Sequence, residues 1–342
     1  MGHGEQCIER YIELSKHSLS DLKQVSTPCI DDHLLDPQDF EVKGILHPVA
    51  SKCVLKCLYM TRIARPEVYW AVNTLAREVT RWTVACDKRL HRLISYIHWN
   101  QDSVMHSYVG DKPEDCSLIL FADASFAGDL RDSKSTSGSL LALAGPHTFC
   151  PITWLCKKQG AISHSSTEAE IISLDTGLRM DGLPCLNLWE LILDVLAPQG
   201  TCDSLNLVNC NGFSPYSNPS QHSHLPADIQ ELLAVDNVPL DIPMSSGRAK
   251  IILLEDNEAV IKSCIKARSP NLRHIPRVHR VNVDTLFERI LMDPGIFIKF
   301  IGTKWQIADI FTKGSFSAPT WKFLCNLFMI GKTSEFTILN KT

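Results

Sequence analysis

Apolar residues between Val49 and Ile97 recur three and four positions apart: Val54, Leu58, Ile63, then Val68, Val72, Leu75, then Leu90, Leu93, Ile97. That is the repeat of helices with one buried face, so residues 49–114 read as a helical segment. Upstream, YIELSKHSLSDL predicts a helix, while Thr27-Pro28 and Asp36-Pro37 punctuate a polar run. Residues 1–48 therefore read as a linker with little core of its own. At Ser117 the period changes. SLILFADA, SLLALAG and TFCPITWLC are strand-like, and the polar stretch 128–138 after the first makes an antiparallel meander. Ser165 and Glu168 fit a capping box that opens a helix through Ile171, Ile172, Leu174 and Leu178, and a second helix runs from about Leu186 to Leu196. Residues 198–247, rich in Ser, Asn, Pro and Asp, read as a flexible insert with one short helix near Ile229. KIILLED then predicts a strand ending at an acid, followed by helical NEAVIKSCIKA and VNVDTLFERIL, the strand IFIKFI and helical QIADIF. Residues 115–316 thus read as one α/β domain, with a C-terminal helix and tail over 317–342. Trp154 and Trp305 lie in apolar or short structured segments and are expected in the core.

The chain has 342 residues, 44% hydrophobic and 21% charged, the balance of a soluble globular protein. No apolar run approaches the roughly 18 residues of a membrane span, and Gln6 breaks the myristoylation pattern begun by Gly2, so no membrane role is expected. Thirteen cysteines are scattered behind a polar amino terminus, which suggests reduced thiols in an intracellular protein, cytoplasmic or nuclear. Cys53 and Cys57, one turn apart, read as packing residues. The net charge of -4 conceals an asymmetry. From Glu41 to Gly110 there are ten Lys and Arg against five acids, whereas 201–247 holds five acids and no Lys or Arg. The basic stretch is the part suited to a polyanion.

Four acids stand at informative places: Asp123 where the first strand ends, Glu170 early in the next helix, Asp256 at the end of the fourth strand, and Asp309 in the last short helix. Ligands of open α/β sheets collect beyond the carboxyl ends of strands, and a neighbouring helix can add an acid there, so the first three could converge. Such a cluster could hold two Mg²⁺ ions about 4 Å apart for phosphodiester cleavage. Any one of these acids alone is more often a cap or a solvated group. Glu168 competes with Glu170 but completes the cap on another side of the helix, and Asp129, Asp132 and Glu255 have sufficient roles in turns or toward solvent. Lys157, Lys158, Arg273, His274, Arg277, His279 and Arg280 could touch phosphates, with a solvated basic face as the plain alternative. His274 or His279 could also move a proton or assist product release.

FADASFAG, DSKSTSG, ITWLCKKQ and SSTEAE, in that order, resemble the ribonuclease H segment of copia-type LTR retrotransposon Pol polyproteins. EDNEAV, LRHIPRVHR and QIADIFTKG resemble its later blocks, so the likeness runs from Cys116 to Gly314 apart from the insert. The resemblance implies a ribonuclease H-like fold: a mixed five-stranded sheet, its first three strands antiparallel, flanked by helices. It implies hydrolysis of the RNA strand of an RNA:DNA hybrid, with Asp123, Glu170, Asp256 and Asp309 as catalytic residues and ligands of Mg²⁺, or Mn²⁺ in its place. Ser165, Ser166 and Thr167 stand where such enzymes touch the hybrid's minor groove, although capping explains them equally well. YIELSKHSLSDLKQVSTP, TRIARPEVYWAVNTLAR and HRLISYI resemble the connection between polymerase and nuclease, which makes the element's reverse transcriptase an expected partner. The paired aspartates of a polymerase palm are missing from the sequence, so the chain reads as truncated and unable to polymerise DNA. An integrase would order its acids differently, and Asp175-Thr176-Gly177, the aspartic protease triplet, falls within a helix. Two readings remain: an endonuclease leaving a 3'-hydroxyl, or a catalytically silent retroelement remnant that at most binds nucleic acid.

Overall fold

The helical periodicity of the first hundred residues becomes four helices in the computed structural model, which describes residues 2–129, 132–196, 243–267, 274–279 and 281–336. They are α1 (His3–Ser15), α2 (Ala50–Ile63), α3 (Tyr69–Glu78) and α4 (Val84–Trp99). The first begins upstream of the expected YIELSKHSLSDL stretch and stops within it. Lys16 turns left-handed at φ 61, and Ser18 then opens a separate 3₁₀ turn closed by Asp21. Residues 1–48 are also not the coreless linker their polarity suggested. Cys7, Ile8, Tyr11, Leu22 and Leu46 are buried, and the polar run is pinned to α4 by Arg92 Nε donating to the Thr27 carbonyl at 2.9 Å and Trp99 Nε1 to that of Leu22 at 2.8 Å. Hydrogen-bonded backbone lets so polar a segment sit against a core.

A short strand β1 (Ser103–Met105) pairs with the late β8 (Ile330–Lys332). The main sheet holds β2 (Tyr108–Val109), β3 (Ser117–Ser125), β4 (Thr136–Gly145), β5 (Thr148–Lys158), β6 (Ile251–Glu255) and β7 (Ile296–Phe300). Its order is β2-β5-β4-β3-β6-β7. The meander β3-β4-β5 is antiparallel as expected, β6 and β7 add in parallel, and the two-residue β2 makes six strands rather than five. Helices α5 (Ser166–Gly177) and α6 (Leu183–Leu196), joined by a π-helical turn, and then α7 (Glu258–Lys266), the short α8 (Ile275–Val278) and α9 (Val283–Met292) follow their strands. QIADIF, expected as a helix, is a 3₁₀ turn over Ile307–Phe311, and α10 (Ala318–Leu327) and α11 (Thr333–Phe336) close the described chain.

Because side chains alternate along a strand, the sheet has two covered faces. Leu118, Leu120, Leu141 and Leu253 pack with Ile171 and Leu174 of α5, Val260 of α7 and Leu286 of α9. Phe121 and Leu140 face the other way, into a core with Val72, Leu90, Phe311 and Phe328. The amino-terminal helices are therefore one wall of the sheet's own core. Trp154 takes part, donating Nε1 to the Thr61 carbonyl at 2.9 Å. Trp305 does not: its turn carries it off the sheet, where it is 49% exposed beside Phe323 and Lys304. The eleven described cysteines are free, with Cys53 and Cys57 buried. Of the expected insert, 198–242 lies outside the described residues, and 243–247 is anchored, with the Ser245 amide donating to Asp293 at 3.0 Å.

Candidate metal centre

Register alone sets two of the acids side by side. β3 and β6 run parallel with Phe121 opposite Leu254, the last pair of the ladder, so Asp123 and Asp256 each stand two residues beyond it, at the same end of neighbouring strands. Adjacent strands are about 4.8 Å apart, within reach of a shared ion. Glu170 arrives from α5. Three residues on, Ser173 donates its hydroxyl to the Asp123 carbonyl at 2.7 Å, fastening this helix face to the strand end. One oxygen from each of Asp123, Glu170 and Asp256 lies within 4.8 Å of the others, the one such grouping of potential metal-binding side chains among the described residues.

Asp309 stands beside this trio and reaches it through a residue the sequence reading missed. Lys313 Nζ lies 2.6 Å from Asp309 and 3.6 Å from Asp123, and the Thr312 hydroxyl donates to the second Asp123 oxygen. Gln306, wholly buried, donates to the Ala122 carbonyl at 2.9 Å, where β3 and β6 begin to part, and so sets the turn that carries Asp309. Gly138, opposite Asp123 in β4, is the floor under that turn: a Cβ there would meet Thr312 Cγ2 at 2.6 Å and Phe311 Cβ at 2.8 Å. Thr312 and Lys313 follow QIADIF directly in the motif, but their partner is almost two hundred residues away, a distance no local spacing encodes.

The electrostatics are those of carboxyls crowded out of water. Burial, then Asp123, Glu255 and Asp256, pushes Glu170 up to about 10. Burial and Asp123 lift Asp309 to about 7 against the pull of Lys313, and burial raises Asp123 against Lys313 and Thr312. Glu255, assigned above to solvent, is wholly buried in the register of Ile251 and Leu253 and is raised to about 8. Its side follows from the strand alternation; its burial comes from the helices laid over it. Glu170 Oε2 is buried with no hydrogen-bond partner. A set of carboxylate oxygens, one of them unpartnered and all burdened by like charge, fits a hard divalent cation such as Mg²⁺ or Mn²⁺.

The other expected contacts are placed less uniformly. Ser165 caps α5, its hydroxyl accepting from the Glu168 amide at 3.1 Å; Ser166 is exposed and Thr167 half-buried in the first turn. Lys157 is exposed, whereas Lys158 is held by Asp129 at 2.6 Å and Asp132 at 2.8 Å. His274 and His279 face Glu168, whose carboxylate accepts from the His164 amide rather than closing a capping box on Ser165. Arg273, Arg280 and the Arg277 side chain lie outside the described residues. A cleft between α3, α4 and the β3–β4 turn opens beside Thr312, lined also by Trp70, Arg77, Arg89 and Ser125. No helix among the described residues is long and apolar enough to cross a membrane.

The chain is similar to the retrovirus-related Pol polyprotein from transposon RE1 of Arabidopsis thaliana, 26% identical over 258 residues, 75% of this chain and 16% of that one. It is 27% identical over 224 residues to the corresponding polyprotein from transposon RE2 of the same plant, 65% of this chain and 14% of that one. With that from transposon TNT 1-94 of Nicotiana tabacum it shares 29% identity over 223 residues, 63% of this chain and 16% of that one. The chain thus spans 14–16% of the length of these relatives. These are copia-type retrotransposon polyproteins, the group that the motifs resemble. No family model matches the chain, and no solved structure matches it.

Proposed function

We propose, from this kinship to copia-type Pol polyproteins, that the chain is a ribonuclease H-like nuclease hydrolysing the RNA strand of RNA:DNA hybrids, with Mg²⁺ or Mn²⁺ at Asp123, Glu170 and Asp256. The convergence of those three carboxylates from β3, α5 and the end of β6 carries the reading. The antiparallel β3-β4-β5 meander extended by parallel β6 and β7 agrees with a ribonuclease H-like sheet.

Divalent ions bound there would supply Lewis acidity toward the phosphate and acidify the attacking water. The protein's own part is to hold acids where ions neutralise their repulsion. Asp123 is fixed by Thr312, and Ser173 keeps Glu170 in reach of it. Asp309 forms the rim, and Lys313 offsets negative charge on both Asp123 and Asp309. Ser166 and Thr167, at the open end of α5, offer hydroxyls for a 2'-OH, and Lys157 offers a cation to phosphate. The shared core of α1–α4 and the sheet would let the element's reverse transcriptase hold the nuclease rigidly.

The test is cleavage of an end-labelled RNA strand with Mg²⁺. Wild type should cut RNA in the hybrid and spare the free single strand, and Asp123→Asn should reduce cutting to background. Equal cutting by both proteins refutes the assignment. A folded wild type that binds hybrid but never cuts it, with either ion, is the silent remnant.

A further inference from the structure

Trp305 stands where a buried indole was expected and is 49% exposed. Trp82, Trp99, Trp154 and Trp321 are tied into the fold by their ring N–H groups. Trp305 makes no such bond among the described residues, and the 3₁₀ turn Thr303–Trp305 lifts it off the end of β7. Its ring meets that of Phe323 on α10 edge to face, with centroids 5.2 Å apart. Lys304 Nζ lies 5.6 Å from the Trp305 ring and 5.0 Å from the Phe323 ring. Phe300, at the end of β7, is 56% exposed, and its neighbour Lys299 and the Lys322 that precedes Phe323 are exposed as well.

The charge around these rings has one sign. From Gly295 to Ser334 there are five lysines, and the only acid is Asp309, which is buried beside the three carboxylates. A protein partner fits this surface badly. Lysine is depleted in interface cores, and an apolar side chain laid on the rings would strip water from the Lys304 ammonium without pairing it. An unpaired nucleic-acid strand answers both halves: its bases stack on exposed aromatic rings and its phosphates pair with ammonium groups. We infer that Trp305 and Lys304, with Phe300 at the strand end, form a stacking site for unpaired nucleotides of an RNA strand. The chain itself links this site to the acids. Asp309 comes four residues after Trp305, and Gln306 between them donates to the Ala122 carbonyl beside Asp123. A strand stacked on Trp305 is thus led toward the carboxylates. That the strand is RNA rests on the nuclease reading; that the site takes an unpaired strand does not.

The test is binding without turnover: the full chain in excess chelator, titrated against a short fluorescent oligouridylate and followed by anisotropy. Trp305→Ala should weaken binding by about fivefold or more, the worth of one stacked base, and Trp305→Phe should keep most of the affinity. Lys304→Ala should also weaken binding and make it less sensitive to salt. A strand of the same length built from abasic residues should bind wild type and Trp305→Ala equally, which separates stacking from attraction to phosphate. The idea is overturned if folded Trp305→Ala holds oligouridylate as wild type does, or if its loss is as large on the abasic strand. Binding that depends on Trp305 for oligothymidylate but not for oligouridylate overturns the assignment to RNA. Should Trp305→Ala fail to fold, photocross-linking of an iodouridine-substituted strand to wild type decides: a cross-link at Trp305 or Phe300 supports the site, and cross-links only elsewhere refute it. Hybrid cleavage is read separately. A wild type that stacks the strand but never cuts removes the nuclease reading alone, and one that cuts without Trp305-dependent binding removes this site alone.

Discussion

Gly138→Ala tests how the Asp309 turn is seated against the acids. Its φ is not among the positive values, so alanine can adopt the backbone and the change isolates packing. The new methyl would stand 2.6 Å from Thr312 Cγ2, 2.8 Å from Phe311 Cβ and 3.1 Å from the Ala308 carbonyl. Comfortable contacts are about 3.5–4.0 Å, so the 307–312 turn must retreat by about 1 Å. Two of the three obstructing atoms are backbone or close to it, so rotamer change cannot relieve them. Overpacking of this kind costs about 1–3 kcal/mol, and replacing a strand glycine returns about 0.5–1 kcal/mol, leaving a net loss of up to about 2.5 kcal/mol. The same retreat draws Thr312 and Lys313 off Asp123, and a misplacement of about 1 Å can cost on the order of 100-fold in rate. Urea unfolding should show a lower midpoint at unchanged slope, and hybrid cleavage should fall far more than the fraction folded. Wild-type stability together with wild-type cleavage would mean that the turn is not seated on β4 as described.

Glu170 and Glu255, at about 10 and about 8, keep their protons in the metal-free fold more tightly than in the unfolded chain. Stability is then greatest below the unfolded carboxyl range and falls as pH rises, by up to about 1.4 kcal/mol per pH unit for each such group. Metal-free melting temperature should drop from about pH 5.5 to about pH 8, and Mg²⁺ should raise it more at the higher pH; a metal-free rise across that window contradicts the crowding. Lys313→Met should destabilise the metal-free protein by about 1–2 kcal/mol, a value discounted because the ammonium is partly exposed, and should tighten Mg²⁺ binding by removing a competing cation. Unchanged Mg²⁺ affinity, read by calorimetry, would remove Lys313 from the centre.

What was legible in the sequence was whatever depends on short spacing. Strand alternation through SLILFADA and KIILLED, with the cap at Ser165, placed Asp123, Asp256 and Glu170 at strand ends and a helix start, and parallel register did the rest. The hidden part depends on contacts between distant segments. The polarity of residues 1–48 concealed that Tyr11 and Leu22 would be buried under α4, and nothing near Glu255 announced the helices that cover it. Lys313 and Thr312 lay in plain view within QIADIFTKG, yet their role exists only because Gly138 lets the turn approach β3. Glu168 looked like a cap residue, and its meeting with His274 and His279 is likewise a matter of α5 against α8.

The central claim is that Asp123, Glu170 and Asp256 share one divalent cation site. Crystals of the full chain grown with Mn²⁺, measured for anomalous scattering, test it most directly. The account predicts a Mn²⁺ peak bonded to oxygens of all three carboxylates and lost in Asp123→Asn. Well-ordered carboxylates with no peak among them, or Mn²⁺ bound only elsewhere, would contradict it.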